Sequence, residues 1–352
     1  MRNIYILFKI LPLFFGLTGS FFLTNNPLQA QQVPYFAVFR ENWVLLNPAF
    51  LNHFYLEDKN RTMMINFSHR EQWFGFNGGP QQSNARIENI VVGRKKALNN
   101  VPRMKWGLGM ENETLGDYAS AGLYANYAYL FNISNTTFIS AGLSFSFSNN
   151  RYRLDPLTFK EWGRDIPSQL LENEVRWLGK ADAGVFLKHK SQGRYSKIDH
   201  WYIGLSTIQM ASVDVAGRGG VLDVVKKPHF NFLAGMLLGE SNKGGSLGTY
   251  WEPTIWIRYL PGATYRALNL KSPISTDVSL RFFVKEKIWG GGGFGTSGNI
   301  SLETGYIFYN SKKNRNWMAP KIKTGVLCNI PVLGTTFGYS VEAFMGIGLA
   351  TY

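Results

Sequence analysis

The chain has 352 residues, 45% hydrophobic, 15% aromatic and 17% charged, a composition too apolar and too aromatic for disorder. A mean hydropathy of -0.13, with one apolar run of spanning length at the very N-terminus, argues against a bundle of membrane helices. The single cysteine, Cys328, excludes an intrachain disulfide and a cysteine-based zinc site, and the net charge of +14 points toward anionic lipid, an acidic protein or nucleic acid.

Residues 1–30 read as a signal peptide. Arg2 and Lys9 supply the positive start, Ile10 to Leu23 the apolar core, and Asn25-Asn26-Pro27 the break before cleavage after Ala30. An uncleaved anchor is the alternative. Losing Arg2 and Lys9, two positive charges, takes the net charge from +14 to +12. Export makes nucleic acid the least fitting of the three partners, and none is expected. No cysteine lies near Ala30 to carry a lipid.

Residues 31–352 then read as one unit whose dominant signal is period two. Met63, Ile65 and Phe67 oppose Met64, Asn66, Ser68 and Arg70, and Met104, Trp106, Leu108 and Met110 oppose Lys105, Gly107, Gly109 and Glu111. Ile139, Ala141, Leu143, Phe145 and Phe147 oppose Ser140, Gly142, Ser144, Ser146 and Ser148. Near the C-terminus, Ile300, Leu302, Tyr306 and Phe308 oppose Ser301, Glu303 and Gly305. A soluble sandwich alternates too. However, these segments run about nine to thirteen residues, the length of tilted spanning strands. Trp73, Trp201, Tyr250 with Trp251, Trp289 and Tyr309 stand at segment ends, as an interfacial girdle requires. The second face is mostly Gly and Ser, unlike the exterior of a soluble sheet. The fold class expected is therefore all-β: a transmembrane antiparallel β-barrel of about fourteen strands.

The strands expected span 62–73, 83–92, 104–112, 118–131, 136–148, 178–189, 200–210, 229–238, 250–260, 275–285, 287–295, 299–309, 320–328 and 336–350. The connection at 132–135 is tight, whereas 149–177 is long, with a short helix expected at Ser168 to Trp177. With both termini periplasmic, an even count puts 149–177 and 211–228 outside and the tight turn inside. The chain ends in an aromatic, Tyr352, as many outer-membrane strands do.

Catalytic and metal chemistry is not legible. Histidines 53, 69, 189, 200 and 229 fall in separate segments, and no nucleophile-elbow motif occurs. The Gly290-Gly291-Gly292-Gly293 run lacks a following Lys-Ser/Thr and reads as a crowded or bent strand. Cys328 reads as a small lipid-facing residue. No enzyme activity, cofactor or metal is expected. The inward charges Glu111, Asp182, Arg281 and Glu303 fit either a pore lining or an internal plug network.

One order of motifs is specific. Gln32-Val33-Pro34-Tyr35-Phe36 and Asn42 lead to Leu46-Asn47-Pro48-Ala49-Phe50, followed by Arg70-Glu71-Gln72-Trp73-Phe74-Gly75 with Gly78, Gly79 and Pro80. Gly107-Leu108-Gly109 with Gly116, Tyr127-Ala128-Tyr129, Asp182-Ala183-Gly184-Val185 and Tyr202-Ile203-Gly204-Leu205-Ser206 continue it. In this order the chain resembles the PorP/SprF family, outer-membrane proteins of the type IX secretion and gliding apparatus of Bacteroidota. The resemblance implies residence in the outer-membrane lipid and a role in anchoring or displaying a secreted surface protein or adhesin. It also implies coupling to periplasmic type IX secretion components.

Physically, Asn47-Pro48-Ala49 is a turn triplet expected to end an N-terminal segment before the first strand. Arg70 and Gln72 share the inward face, Trp73 a girdle position, and a structural role is expected for all six. A passive porin or solute channel is the alternative function that a small, polar inner face permits. The strand parity also places three basic connections on the periplasmic side, carrying Arg94, Lys95 and Lys96; Lys190, Arg194 and Lys197; and Lys312, Lys313 and Arg315. These nine are the candidate partner contacts, with turn solvation as the plainer reading.

Overall fold

Alternating side chains give each strand one face for lipid and one for the interior, and fourteen such strands close on one another. The computed structural model describes residues 40–51, 61–73, 78–95, 98–116, 118–134, 136–152, 174–191, 198–215, 228–241, 247–261, 265–267, 270–284, 287–296, 298–308, 320–331 and 339–349. The strands are β1 (Met63–Gln72), β2 (Gln81–Lys95), β3 (Leu98–Leu115), β4 (Tyr118–Asn132), β5 (Thr137–Tyr152), β6 (Glu174–Lys190), β7 (Ile198–Asp214) and β8 (His229–Ser241). They continue with β9 (Leu247–Tyr259), β10 (Tyr265–Ala267), β11 (Leu270–Ser272), β12 (Ile274–Val284), β13 (Ile288–Gly295), β14 (Asn299–Phe308), β15 (Lys321–Pro331) and β16 (Ser340–Leu349). All but β10 and β11 form one closed antiparallel barrel in sequence order, sealed by β1 against β16 from Met63↔Leu349 to Gln72↔Ser340. Closure pairs every strand on both sides, which bare sheet edges in a bilayer would not allow.

All fourteen expected strands are present, most with longer ends. Two details differ. The short β10–β11 hairpin in the connection after β9 was not expected. The helix expected at 168–177 is strand over its last four residues, while 168–173 lie outside the described residues. The reason is that alternation continues: Val175 pairs with Arg151 and Trp177 with Asn149, and the Trp177 ring stacks on Phe147 at 5.0 Å.

The two faces separate as the alternation requires. Leu123, Phe145 and Leu143 are 66%, 62% and 47% exposed, whereas Ser140, Ser144 and Ser148 on the same β5 are buried inside. Cys328 is half-buried on the outward row of Val326.

Two girdle residues are corrected. Trp289 and Tyr250 point inward and are fully buried, while Trp73 and Trp251 lie exposed on the outside. Tyr309 lies outside the described residues. A local vacancy turns Trp289 into the core. Its ring occupies the space over Gly305 and Gly325, where an added Cβ would come within 2.4 and 2.5 Å of it. The guanidinium of Arg281 covers the ring at 4.4 Å. Tyr250 stacks on Phe283 at 4.2 Å, and together these rings join Leu237, Ile307, Leu327 and Phe344 in an apolar cluster inside the barrel. The glycine run lies in β13 and is crowded, since a Cβ on Gly291 would sit 2.6 Å from the Leu280 carbonyl oxygen.

We call the end where β1 begins and β16 finishes the base, and the other end the mouth. The connection between β4 and β5 is at the base, where Ile133 N donates to Thr137 O at 2.9 Å. The connections around 96–97, 191–197 and 309–320 leave the same end.

Candidate functional site

The interior is occupied by the chain's own N-terminal segment. Arg40–Leu45 forms a 3-10 helix, and Leu46 and Asn47 close it by donating to Trp43 O at 3.0 and 2.9 Å. Pro48 has no amide proton to extend the helix, and Asn47 Oδ1 accepts from Ala49 N at 2.9 Å, turning the chain. The expected turn therefore exists, but inside the lumen. Residues 40–51 are almost wholly buried and act as a plug.

The plug rests on a seat of three glycines from neighbouring strands. A Cβ on Gly142 (β5) would lie 2.7 Å from Ala49 N, one on Gly184 (β6) 2.1 Å from Asn47 Oδ1, and one on Gly204 (β7) 2.8 Å from Asn47 Nδ2. Only a residue without a side chain leaves room for the plug backbone at Gly142 and for the Asn47 amide at Gly184 and Gly204. Asn47 Nδ2 donates to the carbonyls of Val185 and Leu205 at 3.0 and 3.3 Å, and Ser206 Oγ donates to Leu46 O at 2.5 Å. Three motifs that are far apart in sequence thus meet at one point. Trp43, Leu46, Ala49, Phe50 and Leu51 then pack on Phe186, Tyr202, Leu233 and Trp256 of the wall. Phe50 meets Phe186 edge-on at 4.9 Å.

Charge holds the other half of the plug. Arg40 Nη1 lies 2.9 Å from Glu252 Oε2, and its Nη2 donates to Glu252 O and to Thr254 Oγ1 at 2.6 and 3.0 Å. Tyr202 donates its hydroxyl proton to the second Glu252 oxygen at 2.9 Å. Glu41 accepts from Arg281 at 3.2 and 3.3 Å and pairs with Lys323 at 2.8 Å. Arg281 also forms a two-pronged pair with Glu303 at 2.9 and 2.8 Å. Asn42 donates to Glu342 at 3.1 Å and accepts from Arg86 at 2.7 Å, while Arg86 also donates to Glu41 O. Lys105 donates to Phe50 O at 2.5 Å. A buried charge without a partner is costly, so these wall charges and the plug require one another.

Of the two readings of the inward charges, Arg281 and Glu303 belong to the plug network. Glu111 pairs with Lys180 at 3.5 Å, and Asp182 accepts from Gln209 N at 2.6 Å, where the β6–β7 register shifts and Gln209 takes a φ of 56°. Arg70 and Gln72 face inward and are buried, as expected, and Arg70 donates to Ser340 at 3.0 Å across the closing seam. Trp73 follows β1 with a φ of 59° and donates its backbone N–H to Tyr339 O at 2.7 Å.

Of the nine basic candidates, Arg94 and Lys95 finish β2, and Lys190 finishes β6 with its ammonium 3.9 Å from Asp199. Lys96, Arg194, Lys197, Lys312, Lys313 and Arg315 lie outside the described residues. Sequence reasoning missed Arg40, Glu41 and Asn42 as plug residues, and Glu252, Lys323 and Glu342 as their partners. The available signal was a polar Arg-Glu-Asn tripeptide four residues before the turn triplet, matched by isolated charges on the small face of several strands.

Among the described residues, cavities of about 70 Å³ beside Trp43 and about 60 Å³ beside Val44 and Leu45 border the plug. Neither is the size of a solute channel. Among the described residues no group of His, Cys, Asp and Glu is placed to hold a metal.

Among solved structures, the chain is similar to the CymD monoaromatic hydrocarbon channel, at 11% identity and a TM-score of 0.48 over 89% of this chain and 93% of that one. It is similar to the Pseudomonas putida toluene transporter TodX at 8% identity and 0.47, over 89% and 94%. The translocator domain of the autotransporter NalP from Neisseria meningitidis follows at 9% and 0.42, over 82% and 88%. A search of curated proteins gives no match. Residues 28–342 match the family of the type IX secretion system membrane protein PorP/SprF. The fourteen-strand barrel and this match together make the chain an outer-membrane protein that belongs to the PorP/SprF family of the type IX secretion system.

Proposed function

We propose that the protein is a non-enzymatic anchor: it holds or displays a secreted surface protein at its mouth and couples at its base to periplasmic components of the secretion machine. The observation that carries this reading is the plug. A passive channel needs a continuous aqueous path, and here residues 40–51 occupy the lumen through ion pairs, a glycine seat and an aromatic cluster. A filled barrel suits a platform that binds other proteins through its two ends. The basic residues that the sequence carries in the connections at the base suit an acidic periplasmic partner.

The test is recovery of partners with the full-length protein from crosslinked cells. A secreted surface protein and periplasmic machine components are expected together. Recovery of neither, combined with a large steady conductance in planar bilayers, would replace the anchor by a channel.

A further inference from the structure

The outer face of the wall is not smooth. From β16 through β1 to β6 it carries a groove of about 1090 Å³. Strand register sets the shape of this groove. Phe67, Ala85, Met110, Leu123 and Phe147 pair in turn across β1 to β5, and all but Ala85 are large apolar side chains exposed to the lipid. One outward position nearer the mouth, His69, Ser83, Asn112, Ala121 and Asn149 pair in the same order, and this row is small or polar. A trench of short and polar side chains thus lies on the mouth side of an apolar ridge. Trp177 of β6 closes one end of it, stacked on Phe147 at 5.0 Å.

Charge along the trench has one sign. Arg151 lines it from the mouth end of β5, exposed, and its Nε donates to Asn149 Oδ1 at 3.1 Å. That bond fixes the plane of the guanidinium. The one carboxylate in the lining, Glu111, belongs to the inner face and pairs with Lys180 at 3.5 Å. The outward acid Glu71 stands level with Arg151 but four strand spacings away. At roughly 19 Å, that separation exceeds the screening length of about 8 Å.

We infer that the groove holds one phosphorylated glycolipid from the membrane leaflet at the mouth. The outward face of a membrane barrel meets lipid, so the occupant is a lipid and not a dissolved ligand. Met110, Leu123 and Phe147 offer acyl chains an apolar bed. Ser83, Asn112 and Asn149, one level nearer the mouth, offer hydroxyl and amide groups to the hydroxyls of a sugar. Arg151 at the edge recognises a phosphate through paired, charge-assisted hydrogen bonds. Breadth selects the kind of lipid. The lining runs over seven strands, β16 and β1 to β6, which at about 4.8 Å per spacing is roughly 29 Å. The two chains of a phospholipid cover only part of that width, whereas several chains on one sugar headgroup fill it. The site stands apart from the plug and from the anchor reading, since its apolar ridge and polar row both face outward.

The probes are monophosphoryl lipid A, the same glycolipid stripped of its phosphate, and phosphatidylglycerol. Each is titrated into the full chain in detergent micelles, and native mass spectrometry counts the lipid retained. One phosphorylated glycolipid per chain is expected, held about tenfold more strongly than either of the other two, as one charge-assisted contact provides. Arg151→Gln should remove the preference for the phosphorylated form. Arg103→Gln, an exposed arginine near the base end of β3, should leave that preference unchanged. Ala121→Trp fills the trench from β4 and should abolish retention of the glycolipid. Heat-modifiability shows that each barrel has folded, and should Arg151→Gln fail to fold, Ala121→Trp carries the decision. Equal retention with and without the phosphate overturns the site, as does an undiminished preference in Arg151→Gln or undiminished retention in Ala121→Trp. Equal retention of phosphatidylglycerol rejects the glycolipid as its occupant. The same loss in Arg103→Gln as in Arg151→Gln reduces the effect to net charge and rejects the groove. Binding in micelles is read without reference to which way the barrel faces, so a reversed orientation in cells is a separate outcome that rejects only the leaflet named.

Discussion

Glu41 and Arg281 stand 240 positions apart in sequence and meet inside the barrel at 3.2 Å, both fully buried. Glu41 belongs to the plug and Arg281 to β12, so this pair joins the two parts of the molecule. Breaking one side of such a pair strands the other charge in a dry interior. Glu41→Ala should therefore cost about 3–5 kcal/mol of stability, with Arg281 and Lys323 left facing each other. Thermal unfolding in micelles measures the cost, and raised planar-bilayer conductance should accompany it as the plug loosens. A variant as stable and as closed as the wild type would remove the pair from any part in retaining the plug.

The glycine seat makes a sharper steric prediction. A Cβ at Gly184 would lie 2.1 Å from Asn47 Oδ1, whereas one at Gly179 on the same strand has its nearest neighbour at 3.7 Å. Gly184→Ala should destabilise by about 1–3 kcal/mol, as overpacking does, and Gly179→Ala should be near neutral. Melting temperatures of the two variants decide the matter, and equal values would mean that the seat yields without cost.

Lipid exposure is tested by depth. Leu143 stands in the outward apolar row of β5, and Asn149 lies beyond its last aromatic, Phe147. Leu143→Arg should cost about 2–4 kcal/mol near mid-membrane, and Asn149→Arg about 0–1 near the boundary. Folding titrations into lipid vesicles report both. The inner Ser144 borders the 60 Å³ cavity against Val44 and Leu45, so Ser144→Arg should displace the plug and fail as well.

Orientation is read by labelling intact cells in a Cys328→Ser background. Arg164→Cys, in the long connection between β5 and β6, should react with an impermeant maleimide. Ser134→Cys, in the tight turn at the base, should stay unlabelled until the outer membrane is opened. The reverse pattern would turn the barrel over.

The basic residues of the base connections are tested by charge. Reversing Arg94, Lys95, Lys96, Lys190, Arg194, Lys197, Lys312, Lys313 and Arg315 should weaken recovery of periplasmic components from a barrel that still folds. The loss should be larger at low salt, because exposed charges are screened within about 8 Å at physiological ionic strength. Unchanged recovery assigns these residues to turn solvation alone.

The strands and their two faces were legible because they follow from local geometry. Successive side chains in a strand point opposite ways, so Leu143 and Ser144 declare lipid and lumen without reference to any other strand. The same rule placed Arg70, Lys105 and Glu303 inside, and the order of motifs pointed to the family. It did not say what those charges met. The inward turn of Trp289 depends on Gly305 and Gly325 standing beside it on two other strands, a vacancy created only by register. The plug is further still from local sequence. Residues 40–51 carry no period-two signal, and their place follows from contacts with β1, β2, β6, β7, β9, β12, β15 and β16 together. Alternation along a strand is a property of one backbone, whereas filling the lumen needs the whole closed wall to exist first.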